Sequence, residues 1–578
     1  MADPLVSVAL LLAPAFEQVA GAPHDPVVRA SDRADAQANG ALALAKQLGR
    51  NPREVAADVV AAATAGLAGI AELEVAGPGF INVSFTATYL AEQLAAITSD
   101  PRLGVTHATT SETVVIDYSA PNIAKEMHVG HLRTTVIGDA LVRLMTFVGH
   151  RVVKENHVGD WGTPFGMLIE HLVDESGVDG AADLDLRDLD AFYKAARAKF
   201  DASDEFKDRA RERVVKLQSR ADAETTMLWN VLVEQSTRHF NDLYGKLGIL
   251  LTDADLAGES MYQAGMPAVI DRLDASGLLE ESDGAKVVFV PGYINREGDP
   301  LPLIVQARTG GFNYATSDLA CVTDRVERVG ATLLLYVVGT PQTQHLAMVF
   351  KVAEMAGWLV PPARAVHVNF GNVLGADRKI LKSRSGDLMR FIDLVDEAVE
   401  RGRAGMAARS PELAADQRAE LGRIIGLGAL KYAELSTDRI KDYVFDWDRM
   451  LAFEGNTAPY LQYAHARIRS IFRRAEIDPA QLGDVVPVIA MAQERALAMR
   501  LLGFDGAVTE TVERYLPHRL CTYLFDLAQD FTAFYEACPV LKAETDELRM
   551  SRHALADLTA RVLAKGLDLL GIDAPDRM

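Results

Sequence analysis

The stretch Ser119-Ala-Pro-Asn-Ile-Ala-Lys-Glu-Met-His-Val-Gly-His-Leu-Arg133 decides how the rest of the chain is read. Before it, Thr113 to Tyr118 (T-V-V-I-D-Y) has the β-branched, apolar character of a buried parallel strand. After it, Leu132, Val136, Ala140, Leu144 and Val148 recur every four residues, as one helix face requires. Strand, Pro-Asn turn and helix make a βα junction, where unpaired first-turn N–H groups and the positive end of the helix dipole favour an anion such as phosphate. His128 and His131 project to one side of that junction within reach of phosphate oxygens, and Gly130 between them leaves room for a ligand ring. By itself an H-x-x-H pair is more often a solvated turn with two surface histidines.

At 578 residues the chain is too long for one core, and three or four domains are expected. The 59 Lys+Arg against 80 Asp+Glu, a net charge of −21, argue against a protein that coats nucleic acid nonspecifically. A specific RNA partner needs only a local basic surface. Cys321, Cys521 and Cys538 form no C-x-x-C pair, so neither a disulfide framework nor a structural zinc site is expected, and a reducing compartment is the default. The N-terminal apolar run begins with an acid and lacks a basic flank, and no run approaches the ~20 apolar residues that span a bilayer. A soluble, cytoplasmic protein without a membrane partner is the expectation.

Residues 1 to about 108 read as a separate α/β module, with Asn51 capping a helix that runs through Ala63 and an alternating strand at Phe80 to Phe85. Past the signature, Arg151 to Glu155 is a second strand, followed by N-H-V-G-D-W-G-T-P-F-G, whose glycines Gly159, Gly162 and Gly166 imply tight turning and close backbone approach. From Asp183 to about Gly248 the chain is charged and helical; Phe192, Ala196 and Phe200 mark one face, and a solvated insertion without catalytic role is expected. Strands return at residues 286–290 and 301–306. If the chain turns helical after Asn313, Tyr314 and Asp318 share a face. Leu333 to Val338 is a fully apolar run, the mark of a central parallel strand, and places Gln342 and His345 at the carboxyl rim of the sheet. A strand at Ala365 to Phe370 leads to a loop carrying Lys379 and Lys382 between Gly375 and Gly386, mobile and cationic. Beyond about residue 412 the chain is helical. There Tyr460, Tyr463, Arg467, Arg469, Arg473 and Arg474 suit a core stripe with a solvated basic back as well as they suit RNA contact, while Leu516, Leu520, Leu524 and Leu527 are core.

H-V-G-H resembles the HIGH signature of class I aminoacyl-tRNA synthetases, and the extended S-x-P-N-x-x-K-x-x-H-V-G-H-L-R resembles its arginyl-tRNA synthetase form. Lys379-Ile-Leu-Lys382-Ser383 is similar to the KMSKS loop in the variant K-x-x-K-[ST]-R of that family. G-F-I-N-V, the tryptophan-glycine string (with Pro164 where many members carry Gln), Y-x-x-x-D and the ending L-L-G-I-D-A-P-D-R-M extend the likeness over essentially the full length. The resemblance implies an α/β protein with a Rossmann-type parallel-sheet catalytic domain at 109–400, carrying an insertion at about 165–300. It further implies an α/β N-terminal domain at 1–108 that touches the tRNA elbow, a connecting helical segment at 401–450 and an all-α anticodon-binding domain at 451–578.

The implied reaction is ATP-dependent activation of L-arginine to arginyl-adenylate, with bound tRNA required, then transfer to the 3′-terminal ribose of tRNA(Arg). Carried over by position, His128, His131, Lys125, Lys379 and Lys382 are catalytic, the imidazoles and lysines supplying positive charge. His128, Gly130, His131, Lys379, Lys382 and Ser383 meet ATP; Asp117, Ser119, Asn122, His131, Tyr314, Asp318 and Gln342 meet arginine. In this set Asp318 is the natural match for a guanidinium, whose planar fork only a carboxylate meets at two points. Phe80, Asn82, Tyr460 and Arg467 are implied tRNA contacts, and Ala120 replaces a second serine found in other members. Mg2+ is expected with the nucleotide rather than in a protein cage, and a monomer is expected. The alternatives are a class I synthetase for another amino acid and a non-catalytic tRNA-binding paralogue.

Overall fold

A computed structural model describes residues 3–162, 164–181, 189–220, 222–382, 388–482 and 485–578. It divides into two units, one of residues 1–107, 406–432 and 449–578, the other of residues 108–405 and 433–448.

In the first unit, β1 (Val28–Arg29), β2 (Ala36–Ala38), β3 (Ala71–Ala76) and β4 (Phe80–Phe85) pair antiparallel in the order β1-β2-β4-β3. Alternation in β4 sends Ile81, Val83 and Phe85 into the core and leaves Phe80, Asn82 and Ser84 on the other face. The helix Pro52–Ala63 starts where expected, Asn51 accepting the Arg53 N–H with Pro at the first helical position. Gly79, at φ +137°, lies where a Cβ would come within 2.8 Å of the Pro52 backbone. Polar clamps tie the sheet to the helices of the same unit: Arg495 holds Asp35 at 2.8 Å, and the Thr106 N–H donates to Asp505 at 2.9 Å. The helices Ala458–Ala475, Pro517–Ala537 and Asp546–Leu569 bury Leu461, Ile468, Leu520, Leu524, Leu527 and Leu555, whereas Leu516 stands at a cap and is partly exposed.

The second unit carries β5 (Thr113–Asp117), β6 (Arg151–Glu155), β7 (Glu280–Ser282), β8 (Ala285–Ile294), β9 (Pro300–Gln306), β10 (Leu333–Tyr336) and β11 (Arg364–His367). Four of them form the expected parallel sheet, in the order β11-β10-β5-β6, with the apolar β10 and the largely apolar β5 in the middle. The register places Tyr336, Asp117 and Glu155 side by side at its carboxyl rim. The signature helix, Val129–Phe147, buries Leu132, Val136, Ala140 and Leu144, and its Gly138 faces Tyr118 so closely that a Cβ would lie 2.3 Å from that side chain.

β7, β8 and β9 form a separate antiparallel sheet, yet Val288, Val290 and Val305 share one apolar core with Val115, Leu334 and Tyr336. The helix Tyr314–Glu327 contributes Leu319 and Val322 to that core. The three glycines after β6 act as their number suggests: Gly159 abuts Asn122, Gly162 takes φ +104°, and a Cβ on Gly166 would strike the Ala210 carbonyl. All three cysteines are free and buried. Among the described residues no helix is long and apolar enough to cross a membrane.

Candidate active site

Between Asp117 and the signature helix the backbone is held in an unusual path. Ser119, Ala120 and Ala124 adopt φ of +73°, +47° and +57°, a left-handed conformation costly for residues with a Cβ. Side chains from elsewhere in the unit fix it: the Ser119 N–H donates to Thr134 Oγ1 (3.0 Å), Ala120 N–H to Asn156 Oδ1 (3.0 Å) and Ala124 N–H to Ser236 Oγ (2.9 Å). The Ser119 hydroxyl is buried, 2.7 Å from the Tyr244 hydroxyl and accepting from Thr135 Oγ1 at 2.9 Å. Asn122 is exposed, its Oδ1 over Gly159. Ile123 N–H and Gly159 N–H exchange hydrogen bonds with the Gly159 and Pro121 carbonyls, which locks the glycine string to the signature.

The first turn of the signature helix departs from the expectation of unpaired N–H groups. The His128 N–H donates to His131 Nδ1 and the Gly130 N–H to His128 Nδ1, both at 3.1 Å; Val129 N–H reaches the Met389 carbonyl and His131 N–H the His128 carbonyl. The two histidines are their own capping box. An N–H can only donate, so both Nδ1 atoms are unprotonated and each neutral ring carries its proton on Nε2. The rings lie 4.1 Å apart. Gly130 makes room for the His128 imidazole, since a Cβ there would fall 2.9 Å from its Cε1. Burial, helped by the Lys125 charge, lowers the pKa of His128; burial and His128 push His131 down to about 3. The imidazoles are thus neutral Nε2–H donors at neutral pH, which corrects the expectation that they supply positive charge.

A histidine whose pKa falls on folding opposes proton uptake by the native state, so its contribution to stability is intact above the unfolded value of about 6.5 and is lost as the pH falls toward 3. In an NMR titration of the imidazoles His131 is expected to stay neutral from pH 8 down to pH 5. A midpoint near 6.5 would show that the mutual cap does not form.

Gly375 N–H to the Lys379 carbonyl (2.8 Å) and Leu381 N–H to the Val373 carbonyl (3.0 Å) fold the lysine loop into a turn that leaves Lys379 and Lys382 exposed. Ser383 and Gly386 lie outside the described residues. Lys382 bridges to Leu388, and the chain then pairs with the histidine segment, Val129 N–H to the Met389 carbonyl and Phe391 N–H to the Met127 carbonyl, both at 2.9 Å. Main-chain hydrogen bonds therefore join the segment that leaves the lysine loop to the histidine signature. Lys125 is half-buried, its Nζ 4.5 Å from the centre of the Tyr193 ring.

At the strand ends, Arg325 of the helix Tyr314–Glu327 is fully buried between two acids, Nη2 2.8 Å from Asp117 Oδ2 and Nε 2.7 Å from Glu155 Oε2. Its guanidinium also lies over the Tyr336 ring, and among the described residues Asp117 Oδ1 has no hydrogen-bond partner. Asn313 caps this helix, accepting the Ala315 N–H at 3.1 Å, so Tyr314 and Asp318 do share a face. His345 joins them: its Nε2 is 2.5 Å from Asp318 Oδ2, and its ring meets the Tyr314 ring edge-on at 4.7 Å. Tyr314 is 64% exposed, open to a ligand. Gln342, favoured over His345 on sequence position, is exposed in the turn Thr340–Gln342.

Sequence reasoning also passed over Glu259, which burial pushes up to about 7, with Asp160 and Asp318 adding to the rise and His157 opposing it. Thr134 of the signature helix donates to the Val337 carbonyl just past β10 at 2.6 Å, so the histidine and acid clusters are anchored to neighbouring strand ends.

In the other unit, Asn82 accepts from Gln37 Nε2 at 2.8 Å, with Phe80 partly exposed on the same face. Tyr460 is half-buried beside Phe525, and Arg467 is exposed over the Tyr535 ring at 5.0 Å. Arg469 is occupied by Asp557 at 2.7 Å.

Comparison with known proteins gives a consistent result. The family model for the catalytic domain of class I (R) tRNA synthetases matches residues 93–447, the DALR anticodon binding domain residues 461–578, and the arginyl tRNA synthetase N terminal domain residues 8–85. The arginine–tRNA ligase of Thermobifida fusca is 53% identical over all of both chains, and that of Cellvibrio japonicus 46% identical over 94% of each. Among solved structures, arginyl-tRNA synthetase from Plasmodium falciparum superposes with a TM-score of 0.87 at 27% identity over 100% of both chains. The Thermus thermophilus arginyl-tRNA synthetase superposes at 0.81 and 25% identity, over 99% of this chain and 100% of its own. With a strand-turn-helix signature, a lysine loop whose outgoing segment is hydrogen-bonded to it and full-length likeness on three domain models, the chain belongs to the arginyl-tRNA synthetases of class I.

Proposed function

We propose the following division of labour for the family's reaction, in which the arginine carboxylate attacks the α-phosphorus of ATP, pyrophosphate leaves, and the arginyl group then passes to the terminal ribose of tRNA(Arg) with release of AMP. In-line attack at phosphorus asks a protein mainly for positioning and for donors aimed at the developing charge. His128 and His131 offer Nε2–H groups to the phosphate oxygens, while Lys125, Lys379 and Lys382, with Ser383, supply the charge and the closing loop. Asp318 takes the guanidinium, Tyr314 covers it, and the buried oxygen of Asp117 that is unpaired among the described residues, with Asn122, Gln342 and the Ser119 backbone, holds the rest of the amino acid.

The observation that carries this reading is the His345–Asp318–Tyr314 cluster, a carboxylate already oriented at the sheet rim that the signature helix shares. Mg2+ is assigned to the triphosphate of the bound nucleotide, since this ion keeps several waters and is held chiefly through substrate phosphates. Phe80 and Asn82 of the N-terminal module (1–108) and Tyr460 and Arg467 of the helical module (451–578) are assigned to tRNA, with 401–450 as connector. The protein acts as a cytoplasmic monomer.

Pyrophosphate exchange measured with each amino acid in turn, with and without tRNA, tests the assignment. Exchange is expected with arginine alone and only when tRNA is present. Exchange driven by a different amino acid, or none with any, would favour one of the two alternative readings.

A further inference from the structure

The charged insertion contributes more than solvated surface. Its helix Leu189–Ala202 is pinned to the helix Pro164–Gly180 by Phe192, whose ring lies 4.7 Å from that of His171. Leu189 and Tyr193, four residues apart, share the adjoining face. Leu189 lines a cavity of about 510 Å³ together with Lys125, Met127, Phe240 and Leu243, so this face of the insertion looks onto the signature segment. There the Tyr193 ring receives the Lys125 ammonium, 4.5 Å from its centre. Among the described residues no carboxylate pairs with Lys125. Its charge reaches His128, whose pKa it helps to lower.

We propose that Tyr193 is a positioning residue for Lys125, holding the ammonium beside His128 without neutralising it. An ammonium on a four-carbon stem has much rotamer freedom to lose, and a fixed partner removes that loss from the binding step. A carboxylate in this place would fix the lysine equally well, but it would cancel the charge and repel a triphosphate. The face of an aromatic ring attracts the cation through its quadrupole and leaves the full charge available. The proposal rests on the reading of Lys125 as a cation of the ATP site.

The test is tRNA-dependent pyrophosphate exchange, with KM for ATP and for arginine, on Tyr193→Leu, Tyr193→Phe, Lys125→Ala and the Lys125→Ala/Tyr193→Leu double variant. Tyr193→Leu is expected to lower kcat/KM for ATP by about fivefold to tenfold, as the loss of a partly shielded cation–π contact implies. The KM for arginine stays within about twofold, and Tyr193→Phe, which keeps the ring face, stays close to the parent. On the Lys125→Ala background Tyr193→Leu should add nothing. Equal losses for both substrates, failure of Tyr193→Phe to retain activity, a rise in rate, or an undiminished penalty in the double variant would each overturn the positioning role. Lys125→Ala with unchanged ATP kinetics would instead remove the reading of Lys125 beneath it, and the proposal with it.

Discussion

Asp318→Ala is expected to raise the KM for arginine by about a hundredfold or more while the KM for ATP changes by less than about threefold. The carboxylate is only 20% exposed and is held by His345, itself 16% exposed, with Tyr314 against the imidazole edge. A guanidinium docking there exchanges water for a two-point, charge-assisted contact in a partly dry site. Truncation leaves that guanidinium without a partner, and losses of about 2–5 kcal/mol follow when one member of such a pair is removed. Asp318→Asn, which keeps the shape and one acceptor, should fall between the two, and His345→Ala should cost less than either because it disturbs only the orientation. The readout is steady-state exchange with arginine and ATP varied separately. Equal losses for both substrates would place Asp318 outside the guanidinium site.

Arg325→Met should cost about 3–5 kcal/mol of stability, the range for breaking a buried ion pair from one side. The register sets Asp117 and Glu155 next to each other on β5 and β6, and the guanidinium that separates them is fully buried. Without it, two carboxylates face each other in apolar surroundings with no counter-charge. Urea unfolding followed by tryptophan fluorescence reads the effect, and a change below about 1 kcal/mol would show that water or rearrangement reaches this cluster. Arg133 is built on the same plan: its Nε lies 3.0 Å from buried Glu434, its Nη1 donates to the Gly371 carbonyl, and it stacks against Phe370 and Tyr443.

These two arginines mark the boundary of what the sequence conveys. Continuous apolar, β-branched runs located β5 and β10, and a period-four pattern the buried face of the signature helix, because burial writes itself into neighbouring residues. The cap at Asn51 and the helix start after Asn313 were legible for a similar reason, since the capping group sits beside the N–H it satisfies. Nothing in the sequence marks Arg133 and Arg325 as buried; only partners far along the chain make them core residues. His345 was placed at the sheet rim but ranked below Gln342, because its contact to Asp318 crosses between two helices and leaves no local trace.

For the histidine pair, spacing revealed the location but not the chemistry. Both rings turn back to cap their own helix, and a string of letters carries neither ring orientation nor tautomer. Tyr193 belongs to a segment whose charge pattern alone suggested a solvated helix. The strands expected at residues 286–290 and 301–306 were legible, but not that they pair antiparallel and share their core with β10.

A crystal structure with L-arginine and a non-hydrolysable ATP analogue bound together addresses the whole arrangement at once. The guanidinium should fork onto the Asp318 carboxylate at about 2.7–2.9 Å, with the arginine carboxylate facing the α-phosphate and the Nε2 atoms of His128 and His131 on the phosphate oxygens. Arginine seated away from Asp318, or a triphosphate remote from the two imidazoles, would mean that these groups do not share one catalytic cleft.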